Sequence, residues 1–192
     1  MSFSDLSTEE QIESLIEPAT AILAQYGVTD FELENINHVY NSTFSVVTAT
    51  GEKFALRVNV NSDRTEKNIA AEMTFVNTLA QSGEFRVAVP IRNLAGEFVS
   101  KAAHEASGRE LLCVLFSWLE GEDVGDEPTL EVVFEIGALM ARLHNSTKGL
   151  VLPAGQELPS LDDFMWHVED FLLGERSVLN SDEKAKIAAG RK

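Results

Sequence analysis

The sequence predicts an α+β fold in two parts, and three observations carry that prediction. Residues 27–118 contain several period-2 apolar segments and one long segment of helical period. Turns containing glycine separate the period-2 segments, and every periodic segment after residue 128 is helical. Between the parts lies LEGEDVGDEP (119–128), where the composition shifts abruptly to Gly and acid and reads as a linker. The organisation expected is a lobe over 1–118 with a leading helix, a linker over 119–128, and a helical part over 129–192.

Each element has its local reason. Ser7 and Glu10 have the spacing of a capping box ahead of QIESLI. The helix they open is expected to reach Tyr26, bent or broken at Pro18 and ended by Gly27. Strands follow at FELENINHV (31–39), TFSVVTA (43–49) and KFALRVNV (53–60), with ATGE (49–52) as the hairpin turn between the last two. TEKNIAAEMTFVNTLAQSG (65–83) switches to a helical period and is stopped by Gly83. RVAVPIRNL, GEFVSKAAH and RELLCVLFSWL (109–119) then form an antiparallel meander through turns at Ala95–Gly96 and Ser107–Gly108. The sheet expected is five-stranded and antiparallel, with one helix inserted after its third strand. Beyond the linker, TLEVVFEIGALMARLHNS (129–146) and LDDFMWHVEDFLLG (161–174) read as amphipathic helices. A last helix opens with an N-cap at Ser181.

Composition narrows the partners. The chain carries a net charge of −16, whereas phosphate-backbone recognition needs a positive surface, so nucleic acid is not an expected partner. The acidity aids solubility in any protein and would also suit a cationic substrate. No apolar run approaches the roughly 20 residues that cross a membrane, so no membrane is expected either. The start, MSFSDLSTEEQIESL, lacks a basic segment followed by an apolar one, and Cys113 is the only cysteine. Both fit a cytoplasmic protein without an internal disulfide. The histidines at 38, 104, 144 and 167 lie too far apart for a metal motif.

Within KFALRVNV, Phe54, Leu56, Val58 and Val60 alternate with Arg57, which stands on the opposite face at mid-strand. On the helix that follows, Ile69, Met73, Val76, Leu79 and Ala80 form one apolar stripe. At about 100° per residue, Glu72 falls inside it. A carboxylate there either reaches solvent at the lobe edge or takes a partner, because an unpaired buried charge costs several kcal/mol. Arg57 is the expected partner. A strand cation oriented by a helix glutamate is the arrangement with which kinases hold the α- and β-phosphates. Lysine is usual at that place, but arginine also grips phosphate, with two donors.

With this pair in view, five segments in order resemble the aminoglycoside phosphotransferase and choline kinase-like family. NHVYNSTFSV is similar to its first hairpin, with Asn41 and Phe44 in place. GEKFALRV resembles its phosphate-binding strand, and AAEMTFVNTLAQSGEFRVAVPI its Glu-bearing helix and the strand after it. VLFSWLEGEDV looks like its hinge, and IGALMARLHNST like the helix opening the C-terminal lobe. The resemblance covers about residues 27–150 and implies a protein-kinase-like N-lobe followed by the first helices of a truncated C-lobe. It implies ATP and Mg as cofactors, and a small hydroxyl-bearing acceptor such as an aminoglycoside, choline or homoserine. The nucleotide-binding residues it implies are Asn41, Arg57, Glu72 and the hinge residues Ser117, Trp118 and Leu119. Trp118 reads equally as a packing residue.

Two departures accompany the resemblance. The hairpin lacks the glycines of protein kinases, which points to the small-molecule branch. The catalytic loop of the type H-G-D-x-x-x-x-N and the later metal-holding Asp are absent, since none of Asp162, Asp163, Asp170 and Asp182 has an Asn five residues on. No catalytic residue and no metal ligand is therefore expected in these residues, and the chain alone is expected to be inactive and to self-associate. His144, on the apolar face of its helix, reads as a hydrogen-bonded structural histidine, and Trp166 and His167 as packing residues. Two rivals remain: a kinase-like module that binds a protein partner without nucleotide, and a plain α+β domain in which Arg57 and Glu72 are structural.

Overall fold

Six antiparallel strands make one sheet, described here from a computed structural model over residues 3–122, 124–125, 127–159 and 170–190. The strands are β1 (Phe31–His38), β2 (Ser42–Thr48), β3 (Lys53–Asn59), β4 (Pro90–Ile91), β5 (Ser100–His104) and β6 (Arg109–Ser117). Their order is β1-β2-β3-β6-β4, and β5 pairs with β6 beside β4. All six strand segments read from the sequence contribute, one more than the five of the expected sheet, and the fourth, β4, keeps only two residues. Pro90 has no N–H for a ladder, and the segment before it is irregular.

Register decides which side chains share a face. Phe44 lies opposite Leu56, and Leu56 opposite Leu115. With Val46, Val58, Leu111 and Cys113 they form a buried face. Two helices cover it: α1 (Thr8–Ser14), which opens with the Ser7–Glu10 capping box, and α2 (Ile16–Gln25). Leu15, Ala19, Ile22 and Leu23 join the same core. Each large aliphatic buried there stabilises the fold by about 1.5–3 kcal/mol. The break between the helices falls at Leu15, upstream of Pro18. A proline ring clashes with the carbonyl four residues before it, so the interruption appears where α1 ends at Ser14. Burial pushes the Cys113 thiol up to about 12, which leaves it an apolar filler.

The opposite face carries Thr43, Arg57 and Val114, which lie side by side on β2, β3 and β6. Helix α3 (Glu66–Ser82) packs there through Ile69 and Met73, which cluster with Val114. Thr65 and Asn68 cap its start reciprocally, and Gly83, at φ 71°, ends it in the left-handed conformation. Helix α4 (Leu130–Ser146) follows the irregular linker and has no buried residue. Leu130, Phe134 and Met140 stand exposed along it. His144 is exposed too, so it is not the packed histidine its place on the apolar stripe suggested.

The chain divides into two units, 1–158 and 159–192. In the second, Asp170–Gly174 is turn rather than the expected helix, while the rest of the predicted segment, with Trp166 and His167, lies outside the described residues. Helix α5 (Ser181–Gly190) is present, but its cap is Asn180. The Asn180 side chain accepts from the amides of Asp182 and Glu183, and Glu183 accepts from the Asn180 amide. Ser181 lies one position too late to reach those donors. No helix among the described residues is long and apolar enough to cross a membrane.

Candidate nucleotide site

The strand period puts Arg57 on the face that α3 crosses, and α3 brings Glu72 to it. Arg57 Nη1 donates to Glu72 Oε1 at 2.7 Å and Nη2 to Oε2 at 2.8 Å, a two-point ion pair. The Arg57 side chain is 20% exposed and that of Glu72 41%, so the cation is the more enclosed partner. The ring of Phe116 lies 5.5 Å from the guanidinium carbon and adds an aromatic neighbour. Glu72 engages two of the five N–H groups of the guanidinium, which leaves the others for an anion.

Among the described residues, four buried side-chain atoms have no hydrogen-bond partner: His38 Nδ1, Asn41 Oδ1, Arg57 Nε and Trp118 Nε1. Three of them belong to residues singled out from the sequence. An unpaired buried polar group costs about 1–3 kcal/mol, so a ligand that pairs with it gains that much more. Lys53 and Arg57 share one side of the sheet by alternation, and the Trp118 ring lies against Lys53 on that side. Asn41 ends the turn between β1 and β2. Asn61 fastens that turn from the far end of β3: its amide donates to the Tyr40 carbonyl at 3.0 Å and its side chain to the Val39 carbonyl at 2.9 Å.

At the hinge the three expected residues differ. Ser117 is tied to the segment before β4, since its amide donates to the Val89 carbonyl at 2.8 Å and its hydroxyl accepts from the Val89 amide at 2.9 Å. The Trp118 amide donates to the Lys53 carbonyl at 3.3 Å, and Lys53 Nζ sits 3.7 Å from the centre of the Trp118 ring. Leu119 carries neither tie and is exposed. Lys53 and Phe116 belong to this face and were missed in the sequence. Lys53 was within reach of it, because 53, 55 and 57 share a face by alternation, whereas Phe116 depended on the register of β6 against β3. Among the described residues there is no group of three or more His, Cys, Asp or Glu that could hold a metal ion.

Comparison with known proteins agrees with this geometry at the level of fold. The family model described as "Phosphotransferase enzyme family" (APH) matches residues 32–189. No curated protein matches the chain. Among solved structures, the chain is similar to the amicoumacin kinase hAmiN in complex with AMP-PNP, Ca2+ and Ami, with a TM-score of 0.67 and 18% identity over 96% of this chain and 56% of that one. It is also similar to the microcompartment-associated aminopropanol kinase, with a TM-score of 0.64 and 21% identity over 82% of this chain and 46% of that one. The chain thus spans about half the length of these structures.

Proposed function

The chain belongs to the phosphotransferase enzyme family, and from that premise we propose that it forms the ATP-binding part of a small-molecule kinase. The observation that carries the proposal is the two-point Arg57–Glu72 pair on the face shared with Trp118, beside the unpaired side-chain atoms of Asn41, Arg57 and Trp118. Arg57 contacts the α- and β-phosphates through the N–H groups Glu72 leaves free, and Glu72 fixes its orientation. Asn41, in the turn above Arg57, borders the phosphates. The adenine lies against the hinge, where the Leu119 backbone is the reader because the amides of Ser117 and Trp118 are engaged elsewhere. Lobe, hinge and helical part are 1–118, 119–128 and 129–192.

Phosphoryl transfer rests on positioning and on stabilising charge. These residues supply the nucleotide grip, while the catalytic loop and the Asp that would hold Mg are not among the 192. The chain alone therefore binds nucleotide weakly and does not turn it over. The acceptor is a small hydroxyl-bearing molecule, an inference supported by the amicoumacin and aminopropanol kinases among the similar structures. A net charge of −16 favours an acceptor that also carries an amine. A cytoplasmic site of action fits the single cysteine.

Calorimetric titration of AMP-PNP into the wild-type and Arg57→Ala chains tests the proposal. The variant is expected to bind about 10- to 100-fold more weakly, from the loss of about 1.5–3 kcal/mol of charged hydrogen bonding. Equal affinities would remove the role of Arg57. Absence of binding by the wild type would favour the protein-binding module, and phosphate transfer by this chain alone would refute its inactivity.

A further inference from the structure

Helix α3 has an unequal hold on the sheet. The cluster that joins it to the sheet has three buried members, Ile69, Met73 and Val114, with Ala71 and Leu79 buried elsewhere on the helix, whereas the core on the opposite face has fourteen. Behind the helix, away from Glu72, lies a cavity of about 310 Å³. Ala70, Thr74 and Thr78 line it from the helix, and Phe98, Pro153 and Gln156 close it. Close packing therefore does not fix α3 from behind. Hydrogen bonds do.

One is the ion pair of Lys101 Nζ on β5 with Glu66 at 2.7 Å; the others come from the turn over 153–157, which the chain reaches after α4. The turn is closed by the Gln156 amide donating to the Pro153 carbonyl at 3.1 Å. Gln156 Oε1 accepts from Thr74 Oγ1 at 2.8 Å, and the Glu157 carbonyl accepts from Asn68 Nδ2 at 2.9 Å. The Glu157 amide donates to the Lys67 carbonyl at 3.5 Å. These ties bracket Glu72. Asn68 stands one turn before it, and Thr74, two residues on, points to another side of the helix. The helix is thus held against both sliding and turning at the level of the carboxylate.

We infer that this turn is a strap, and that Thr74 and Gln156, with Asn68, are positioning residues that keep Glu72 in two-point contact with Arg57. The inference rests on the nucleotide role proposed above. A shift of the helix by about 1 Å is enough to break a two-point contact of this length. The strap also joins the segment beyond α4 to the helix that orients the phosphate cation.

The test compares wild type with Thr74→Val, Thr74→Ser and Gln156→Met, each titrated with AMP-PNP alone and in a Glu72→Met background. Loss of one neutral hydrogen bond predicts about 5-fold weaker binding for Thr74→Val and Gln156→Met. Thr74→Ser, which keeps the hydroxyl, should bind as wild type. In the Glu72→Met background, Thr74→Val should add nothing. A loss that persists there undiminished would make the strap merely structural and overturn the inference. The guanidinium signals of Arg57 in proton–nitrogen spectra give a readout that needs no nucleotide. They should be resolved in the wild type and collapse in Thr74→Val, while the amide signals of β2, β3 and β6 show the sheet intact. If the wild type binds no nucleotide, the function proposed above fails and these signals decide the strap alone. Signals unchanged in Thr74→Val overturn it.

Discussion

The two halves of the Arg57–Glu72 pair should not be equally costly to remove. In Arg57→Met the orphan is Glu72, whose side chain is 41% exposed and can rehydrate. The methionine keeps an unbranched stem against Phe116, so the loss is close to that of an exposed pair, about 0.5–1 kcal/mol. In Glu72→Met the orphan is Arg57, 20% exposed, with its Nε already buried and unpartnered. Removing one partner of a fully buried pair costs about 3–5 kcal/mol, and discounting for the residual exposure leaves about 2–3 kcal/mol. Helix propensity does not confuse the comparison, because Glu and Met are near equal. Urea unfolding followed by circular dichroism reads the difference. With a slope of about 2 kcal/mol/M, the midpoint of Glu72→Met should lie about 0.5–1.2 M below that of Arg57→Met. The double variant, which leaves no orphan charge, should recover part of the Glu72→Met loss. An Arg57→Met midpoint as low as that of Glu72→Met, or lower, would refute the reasoning.

Two further outcomes follow from the structure. His104 is buried between the hydroxyls of Ser14 and Ser107, and burial first, with the Arg109 charge adding, holds its pKa below the usual histidine value. The neutral form is the folded one, so this stability is present above a pH of about 6.5 and is lost as the pH falls towards the folded value. The melting temperature should drop from pH 7.5 to 5.5, less steeply in His104→Gln, and an unchanged slope in that variant would exclude His104 as the source. The exposed apolar residues of α4, Leu130 at 89% and Phe134 at 74%, should make the chain bind an apolar dye and self-associate. Leu130→Lys with Phe134→Lys should reduce both, and a clean wild-type monomer at high concentration that binds no dye would contradict the expectation.

What the sequence makes legible depends on how far away the cause lies. Helix α3 could be read almost to the residue, because its cap at Thr65 and its stop at Gly83 are local. The facing of Arg57 and Glu72 followed from two periods, 2 on the strand and 3.6 on the helix. The break at Leu15 was harder to place, since proline acts through a carbonyl four residues upstream. Ser117 could not be seen to be engaged, because its partner, Val89, is 28 residues away and meets it only through the register of β4. Strand β4 itself shrank to two residues for want of pairing that no local pattern dictates. The stripe on α4 told which residues seek burial but not what, if anything, covers them, and so His144 was misjudged. The strap on α3 has no local signal at all, since Thr74 and Gln156 are 82 residues apart.

The ends of the sheet have a consequence for how copies of this chain meet in a crowded solution. An open strand edge invites another chain to add a strand, the first step towards fibres. Here β1 presents Glu32 and Glu34 and is kinked by an irregularity between Asn35 and Asn37. On the other side β4 offers two residues, one of them proline, and Gln25 Nε2 occupies the Lys101 carbonyl of β5 at 2.9 Å. Neither border is a usable template. A second copy adding itself as a strand would meet acidic side chains and an irregular register at one border and a proline at the other.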